Sequence, residues 1–320
     1  MKLGVFAVLF QNKSLEEALD IIANLGVEAV EIGTGAFPGN AHCEPELLLK
    51  DKNAFDKFKA SIEKRNLIIS GLSCHGNPLH PDPSISKTHH EAFQKTVLLA
   101  EKLGVDRVIT FSGCPGGSED DKTPNWVTCP WPNYFTDILN WQWEKKIIPY
   151  WKEQAKFASD HGVKICLEMH PGFSVYNTET LLKLRDAAGD AIGANFDPSH
   201  LFWQGIDPVA AVYKLGSAIY HVHAKDTKIN NLNSTVNGVL DTKSYSKEAE
   251  RSWIFRTVGY GHGYDFWKDF LSALRVVGYD YVLSIEHEDS LMSPREGLEK
   301  AVSFLKEVMI KEKPAEIWWA

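Results

Sequence analysis

The 320-residue sequence predicts an α/β fold, a closed (β/α)8 barrel that forms a single domain over residues 1–320 with a C-terminal tail at 311–320. Eight short β-rich runs alternate with eight amphipathic helical stretches, the count that a closed parallel barrel requires. The length also suits such a barrel, which typically needs about 250 residues plus insertions. Glycine recurs where a predicted helix ends and the next strand begins.

The predicted strands follow one another at short intervals and are bounded by turn-forming residues. They cover residues 3–10, 29–33, 67–74, 107–113, 164–170, 192–197, 219–226 and 281–287. The first helix begins after Ser14, which together with Glu17 forms a capping-box pattern, and it ends at Gly26. The other predicted helices cover residues 53–66, 85–103, 138–161, 178–188, 207–215, 264–277 and 294–310.

The connections predict different roles for the two rims of the barrel. Glycine stands at a helix end in the segments LGV, LGV, HGV and VGY, at residues 25–27, 103–105, 161–163 and 277–279, which predicts short turns into the next strand. The long loops, residues 113–137 after strand four and 227–262 after strand seven, fall on the opposite rim. Loops of this length are usually functional, and barrel active sites lie on that rim.

Composition excludes several classes of partner. The net charge of −8 argues against nucleic acid or an anionic membrane, because both favour a basic surface. Five cysteines without C-x-x-C spacing argue against a disulfide framework or a zinc–thiolate site. We see no leader and no apolar run of membrane-spanning length, so we expect a cytoplasmic protein.

Ionisable residues share one face on each of the last four strands. Side chains alternate along a strand, so parity identifies those that point into the barrel. The inward set comprises Glu168 and His170, Asn195 and Asp197, His221, His223 and Lys225, and Ser284, Glu286 and Glu288. Residues of the opposite parity are apolar, as expected for a face that contacts helices. The inward groups therefore meet near the carboxyl ends of four neighbouring strands.

Several buried carboxylates without a cation between them would cost several kcal/mol each, on the order of the penalty for an unpaired buried charge. A divalent metal removes this cost, and carboxylates with one imidazole suit Mn²⁺, Co²⁺ or Zn²⁺, with Mg²⁺ as a further alternative. The competing interpretation is a structural salt-bridge network. We favour the metal because the inward carboxylates outnumber the nearby cations.

The segments CLEMHPG, NFDPSH, HVHAKD and SIEHED, in this order at the ends of strands five to eight, resemble the signatures of the xylose isomerase-like TIM barrels, which include the D-tagatose 3-epimerase group. The resemblance covers nearly the whole chain. It implies that Glu168, Asp197, His223 and Glu286 hold one divalent metal, with Mn²⁺ the first candidate. It also implies that Glu168 and Glu286 act as acid and base on opposite faces of a bound ketose.

The chemistry implied is the isomerisation or epimerisation of a sugar or keto-sugar. A cation stabilises the enediolate that develops when a carboxylate removes the proton next to a carbonyl. Four other residues are candidate substrate ligands, each with an alternative. His200 could instead be satisfied by backbone, Lys225 by a salt bridge with Asp226 or a neighbouring carboxylate, and His170 could orient Glu168. Arg256 binds substrate or anchors its loop.

Three other functions stay open. The same site could eliminate a β-substituent, as a lyase or as the α subunit of a C-glycoside deglycosidase that acts on 3-keto-sugars with a small β-sheet partner subunit. An endonuclease IV-like nuclease is disfavoured by the acidic charge and by too few inward histidines. The last alternative is a non-catalytic sugar-binding subunit. With no clear phosphate site, a free sugar is favoured.

Some features receive no firm role. Glu31 has inward parity on strand two, and His75 follows strand three, where a pocket role competes with an ordinary loop position. Tryptophans at positions 126, 131, 141 and 143 form either an aromatic sugar platform or a packed lid. The ending IWWA predicts packing on the body of the protein or at a subunit interface, and we expect a homo-oligomer.

Overall fold

Eight parallel strands close into a barrel in the computed structural model, which describes residues 1–313 and 316–319. The barrel strands are β1 (Lys2–Phe6), β2 (Ala29–Gly33), β3 (Ile68–Ser73), β4 (Arg107–Phe111), β5 (Lys164–Glu168), β6 (Ile192–Phe196), β7 (Ile219–Ala224) and β10 (Val282–Ile285). Each strand pairs with the next in the chain, and β10 pairs with both β7 and β1. The predicted (β/α)8 barrel is confirmed.

Helices surround the barrel. They are α1 (Leu15–Asn24), α2 (Pro45–Lys50), α3 (Lys52–Glu63), α4 (Pro83–Leu103), α5 (Tyr134–Trp141), α6 (Ile148–Asp160), α7 (Thr178–Ala188), α8 (Ser199–Phe202), α9 (Pro208–Leu215), α10 (Asn231–Asn237), α11 (Tyr264–Val276) and α12 (Pro294–Val308). Of the described helices, none has the length and apolar composition needed to cross a membrane.

The predicted end signals of the helices are present. The Ser14 side chain accepts from the backbone N–H of Glu17, and the Glu17 side chain accepts from the backbone N–H of Ser14, which completes a capping box at α1. Gly104 ends α4 with φ +71°, a conformation that glycine adopts without strain. The turn at Gly104 lets the chain enter β4 three residues later, at Arg107.

The apolar face of the barrel strands packs against the helices, as parity predicts. Leu167 on β5, Phe196 on β6, Val222 on β7 and Ile285 on β10 are buried in one large cluster. Trp151 of α6 and Trp267 of α11 are fully buried in the same cluster. Burial of each such side chain contributes about 1.5–3 kcal/mol. This packing holds the strands in the register that brings the inward groups together.

Two predicted elements differ from the structure. The first strand was expected over residues 3–10, but it ends at Phe6 and Ala7–Phe10 form a 3-10 turn. The apolar run continues through the turn, because Phe10 is buried although it lies in the turn and not in the strand. Periodicity alone therefore does not show where the strand ends. The helix expected over 138–161 begins earlier, as α5, and a π-helical segment, Gln142–Ile147, separates α5 from α6.

Strands five to eight end earlier than predicted. The structure ends them at Glu168, Phe196, Ala224 and Ile285. Their site residues His170, Asp197, Lys225 and Glu286 therefore lie in the loops that begin where the strand ladders stop. The backbone is free to turn there, and the side chains point into the mouth of the barrel.

The long loop after β7 contains structure that the sequence did not predict. Strand β8 (Asp226–Ile229) pairs antiparallel with β9 (Trp253–Arg256), and α10 lies between them. This hairpin, called the β8–β9 hairpin below, stands beside the barrel mouth.

The C-terminal segment differs from the expected packing. Ile317, Trp318 and Trp319 are 63%, 86% and 71% exposed, so these residues do not pack on the body of the chain. Ala320 lies outside the described residues. The alternative, a subunit interface, stays a prediction.

Candidate metal centre

Four side chains converge at the carboxyl ends of β5, β6, β7 and β10. Glu168 is the last residue of β5, Asp197 follows β6, His223 lies in β7, and Glu286 follows β10. Each offers one ligand atom, and these four atoms lie within 4.8 Å of one another. Glu168, Asp197 and His223 are buried, and the Glu286 side chain is 13% exposed. The structure thus brings the four predicted ligands together.

Two atoms of this group lack an ordinary partner. Asp197 Oδ2 and His223 Nδ1 are buried, and neither makes a hydrogen bond to any residue in the described part of the chain. His223 Nδ1 lies 3.2 Å from Glu168 Oε2 and 3.1 Å from Glu286 Oε2, without hydrogen-bond geometry. Buried polar atoms are rarely left unpaired. The two unpaired atoms lie beside carboxylate oxygens of Glu168 and Glu286 that can also ligate a cation. The group of four therefore fits a divalent metal.

Glu31, on β2, contacts His223 from the opposite side of the barrel lumen. Both of its carboxylate oxygens lie 3.0 Å from His223 Nε2, and Ser284 Oγ donates to Oε2 at 2.6 Å. Burial alone would raise the pKa of Glu31, but His223 and His221 lower it to about 2. The ionised carboxylate only accepts, so Nε2 carries a proton. Burial lowers the pKa of His223, but Glu31, Glu286 and Glu168 raise it well above its usual value, so Nδ1 would release a proton when a cation binds there.

His75 and Asn195 orient Glu168. His75 Nε2 and Asn195 Nδ2 donate to Glu168 Oε2 at 3.0 and 2.8 Å. His221 Nδ1 in turn donates to Asn195 Oδ1 at 2.9 Å. Burial would raise the pKa of Glu168, yet His75, His200 and His223 hold it well below its usual range. Glu168 is therefore an ionised carboxylate, and its Oε1 accepts neither of these two hydrogen bonds.

Lys225 supplies a buried positive charge at the edge of this group. Its Nζ lies 2.6 Å from Glu288 Oε2, 3.1 Å from Glu286 Oε2 and 3.9 Å from Asp197 Oδ2. Burial would lower the pKa of Lys225, but Glu286 and Glu288 raise it well above its usual value. Lys225 therefore forms the salt bridge that was its alternative role, but with Glu286 and Glu288 and not with Asp226. It also lines the cavity at the barrel mouth that is described after these residues.

His170 and His200 lie together in the cavity wall. Their ring centres are 4.0 Å apart, and His200 Nε2 is 3.3 Å from both Glu168 Oε1 and Asp197 Oδ2. Burial and the neighbouring His200 lower the pKa of His170 to about 3, so its imidazole is neutral. Both predicted substrate ligands thus reach the cavity.

Arg256 does not reach that cavity. Its Nε donates to Asp289 Oδ2 at 3.1 Å, and the backbone N–H of Thr257 donates to the same oxygen at 2.8 Å. Asp289 belongs to the loop after β10, so the pair joins the β8–β9 hairpin to that loop. This contact is the loop-anchoring alternative, and a contact between Arg256 and substrate stays a prediction.

A cavity of about 360 Å³ at the barrel mouth is lined by two of the four candidate ligands, Glu168 and Glu286. Its apolar wall is mostly phenylalanine, with Phe111 and Phe173 stacked 4.2 Å apart, and Phe6, Phe37, Val8 and Pro38 complete it. Its polar lining residues are His75, Glu168, His170, His200, Lys225, Glu286 and Glu288. None of the four loop tryptophans lines this wall: Trp131 is 74% exposed, and Trp126 and Trp143 line a separate cavity.

Sequence reasoning missed the roles of Glu31 and His75. Inward parity on β2 was the only signal for Glu31, and His75 carried only its place after strand three. Two other groups of potential metal ligands lie beside the four-residue group. The first comprises Glu31, His221 and His223, and the second comprises Glu168, His170 and His200. Each shares a member with the four-residue group, so all three belong to one centre.

Comparison with known proteins identifies relatives over almost the full chain. A family model described as xylose isomerase-like TIM barrel matches residues 19–308. The uncharacterized protein YfiH of Bacillus subtilis (strain 168) is 43% identical over 312 residues, which cover 97% of this chain and 99% of YfiH. An inosose dehydratase of Mesomycoplasma hyopneumoniae (strain J) is 24% identical over 97% of this chain and 96% of its own length.

Solved structures share the fold. A D-tagatose 3-epimerase-like protein superposes with a TM-score of 0.64 at 22% identity, over 96% of this chain and 98% of its own. The IolI protein, solved with a binding zinc atom, gives a TM-score of 0.65 at 19% identity over the same shares of the two chains.

Proposed function

The chain belongs to the xylose isomerase-like TIM barrel family, and on that premise we propose that it is a divalent-metal-dependent enzyme that isomerises or epimerises a sugar or keto-sugar. The reaction begins with removal of the proton next to the substrate carbonyl. Glu168 and Glu286 are the proposed proton-transfer groups.

The observation that carries this proposal is the placement of these two carboxylates. Glu168 comes from β5 and Glu286 from the end of β10, and strands β6 and β7 separate them in the barrel wall. Both line the cavity, and the His223 imidazole lies between them. A substrate bound in the cavity would therefore meet one carboxylate from each side, the arrangement that proton removal and return on opposite faces requires.

Glu168, Asp197, His223 and Glu286 would hold the cation. A mixed carboxylate and imidazole set suits Mn²⁺ first, with Co²⁺, Zn²⁺ and Mg²⁺ as alternatives. When bound, the cation supplies stabilisation of the negative charge that develops on the carbonyl oxygen. The zinc atom in the IolI structure supports testing Zn²⁺ beside Mn²⁺.

The chain's own residues divide the remaining work. The Glu168 carboxylate accepts the proton from carbon while His75 and Asn195 keep its orientation. The electron pair of the broken C–H bond moves toward the carbonyl, giving an enediolate. The Glu286 carboxylate takes the proton of a substrate hydroxyl and delivers it to the opposite face of the carbon, and that hydroxyl then regains the proton held by Glu168. Lys225, whose Nζ lies 3.1 Å from Glu286, stabilises the negative charge of the enediolate. The phenylalanine wall excludes water from the reacting atoms.

Elimination is the second candidate, and the inosose dehydratase relative favours it. In this reaction the same proton is removed, and the C–O bond on the next carbon breaks as the electron pair moves into a C=C bond. The leaving hydroxyl takes a proton and departs as water. A deglycosidase α subunit with a small partner subunit would use the same elimination, and it stays a prediction.

Deuterium exchange tests the shared first step. The metal-loaded protein is incubated in D2O with ketohexoses, keto-inositols and 3-keto-glycosides, and the products are followed by NMR. We expect deuterium at the carbon next to the carbonyl, and loss of that exchange in Glu168→Gln and Glu286→Gln. An epimer with deuterium at this carbon supports epimerisation, whereas an unsaturated product supports elimination.

Glu63→Gln is the matched control, because Glu63 is a surface residue on α3 with an exposed partner, Lys59. It should exchange as the unaltered protein does. Full exchange in both active-site variants would exclude the proposed pair, and no exchange with any of these ketones would exclude the proposed function.

A further inference from the structure

Three consecutive apolar side chains near the C-terminus lie in solvent. Ile317, Trp318 and Trp319 are 63%, 86% and 71% exposed, and the two indole rings lie edge to face, 5.5 Å apart. Contiguous apolar side chains at a surface mark an interaction site, and tryptophan is among the residues that contribute most to interface affinity. Residues 317–319 are called the apolar tail below.

A groove of about 540 Å³ lies between α1 and α12 on the outer surface. Its apolar lining consists of Phe10, Ile21, Leu25 and Leu298. Phe10 and Leu298 are buried in the core cluster, so this part of the lining is fixed. Ligand pockets measure roughly 300–1,000 Å³, and the groove therefore has room for bulky side chains such as indoles. It is called the α1–α12 groove below.

The charges of the groove suit the residue that precedes the apolar tail. Lys13 and Arg295 line the groove together with the carboxylate of Glu299, so the lining is net positive on a chain with a net charge of −8. The Arg295 side chain is 83% exposed and can contact a second carboxylate besides Glu299. Glu316 is exposed and directly precedes the apolar tail. Opposite charges at the rim of an interface favour the correct register.

A second copy of this chain is the partner that provides such a groove for the tail. The three side chains stay exposed in this chain, although the groove lies on α12, the helix that leads into the tail. Residues 309–319 span up to about 35 Å when extended, which exceeds the length of α12, about 22 Å. The tail is therefore long enough to reach a neighbouring molecule.

The buried area favours two tails that are exchanged reciprocally. Two tryptophans bury roughly 300–500 Å² in total, and the groove that receives them loses a similar area. One such contact buries less than a stable interface needs, whereas two contacts reach the range of about 1,200–2,000 Å² that is typical of stable complexes. A two-fold axis generates both contacts from the same pair of surfaces.

We propose that the apolar tail of each chain binds the α1–α12 groove of a second copy, so that two chains form a two-fold dimer by exchanging tails. The proposal identifies the two surfaces that meet in the homo-oligomer expected from the sequence. It does not depend on the metal centre or on the proposed function.

Sedimentation equilibrium over a range of protein concentrations measures the dimer dissociation constant. We expect the unaltered protein to reach the mass of a dimer. The combined change Trp318→Ser and Trp319→Ser should weaken the dimer by about 100-fold or more, because tryptophan side chains dominate interface affinity. Tyr213→Ser, which removes another exposed aromatic side chain, on α9, is the control and should leave the dimer unchanged.

A charge exchange between two chains tests that the tail binds a different molecule. Glu316→Lys and Arg295→Glu should each weaken the dimer by about tenfold, because each brings like charges together. In an equal mixture of these two variants, every tail meets a groove of opposite charge. The mixture should therefore regain the affinity of the unaltered protein. Lys57→Glu, an exposed change on α3, is the control for altered net charge.

The outcomes separate this proposal from the proposed function. A monomer at every concentration, a dimer that the tryptophan changes do not weaken, or a mixture that dimerises no better than its two variants would overturn the tail exchange, even if deuterium exchange succeeds. A dimer that depends on the tail and is restored by mixing would support it, even if no ketone exchanges deuterium.

Discussion

His223 Nε2 lies 3.0 Å from both carboxylate oxygens of Glu31, on the side of the imidazole away from Glu168 and Glu286. The contact fixes the ring and its proton, so the opposite nitrogen faces the group of candidate ligands. A carboxylate behind a ligating imidazole also increases the basicity of the ligand nitrogen. Glu31 is therefore a positioning residue for the metal centre.

Glu31→Gln should weaken metal binding about 10- to 100-fold, because the neutral amide neither fixes the tautomer nor raises imidazole basicity. The dissociation constant for Mn²⁺ or Zn²⁺, measured by competition with a chelating dye, checks this. Glu28→Gln, an exposed carboxylate near the start of β2, is the control. Equal affinity in Glu31→Gln and the unaltered protein would show that Glu31 serves packing alone.

Lys225→Met should lower kcat by roughly 100-fold or more, the usual contribution of a group that stabilises developing negative charge, without weakening metal binding. Removing a positive charge that lies 3.1 Å from Glu286 and 3.9 Å from Asp197 reduces repulsion of an incoming cation. Steady-state kinetics and metal titration test the two effects separately. Lys228→Met on β8 is the exposed control. Weaker metal binding with kcat retained would assign Lys225 a purely structural role.

Arg256→Ala should destabilise the protein by about 1 kcal/mol through loss of the charged hydrogen bond to Asp289. It should leave KM within about twofold, because contacts outside the cavity add no substrate binding energy. Urea unfolding and steady-state kinetics provide the two values. A large rise in KM with unchanged stability would identify Arg256 as a substrate ligand.

Glu16→Gln should destabilise the protein near neutral pH and have no effect in strong acid. Ser61, Lys64 and Arg65 lower the pKa of Glu16 from 4.5 to about 2, so its carboxylate stabilises the fold above pH 4.5 and this stabilisation is lost as the pH falls to about 2. The Glu16 side chain is half exposed, so solvent screening limits the effect to about 0.5–1 kcal/mol.

Urea unfolding at pH 7 and pH 3, with Glu63→Gln as the control, measures this dependence. The difference between Glu16→Gln and the unaltered protein should shrink at the lower pH. A difference that is the same at both values would mean that Glu16 acts through packing and not through its charge.

The alternation of strands and helices predicted the barrel, because periodicity and end signals are local properties of the chain. Parity on the last four strands predicted that Glu168, Asp197, His223 and Glu286 meet, and the resemblance named them as ligands. Glu31 was not found, because its contact with His223 spans the lumen from β2 to β7, and this distance depends on the closed barrel and its register. The contact of Arg256 with Asp289 was not predicted, because Asp289 follows β10 and meets the end of β9 only in the folded chain.

Metal content of the purified protein tests the central claim most directly. Elemental analysis after equilibration with Mn²⁺ or Zn²⁺ and removal of free ion should give one divalent metal per chain. His223→Asn and Asp197→Asn should each lose it, whereas His161→Asn on the surface should keep it. Folded protein that binds no metal, or full metal content in both site variants, would contradict the metal centre.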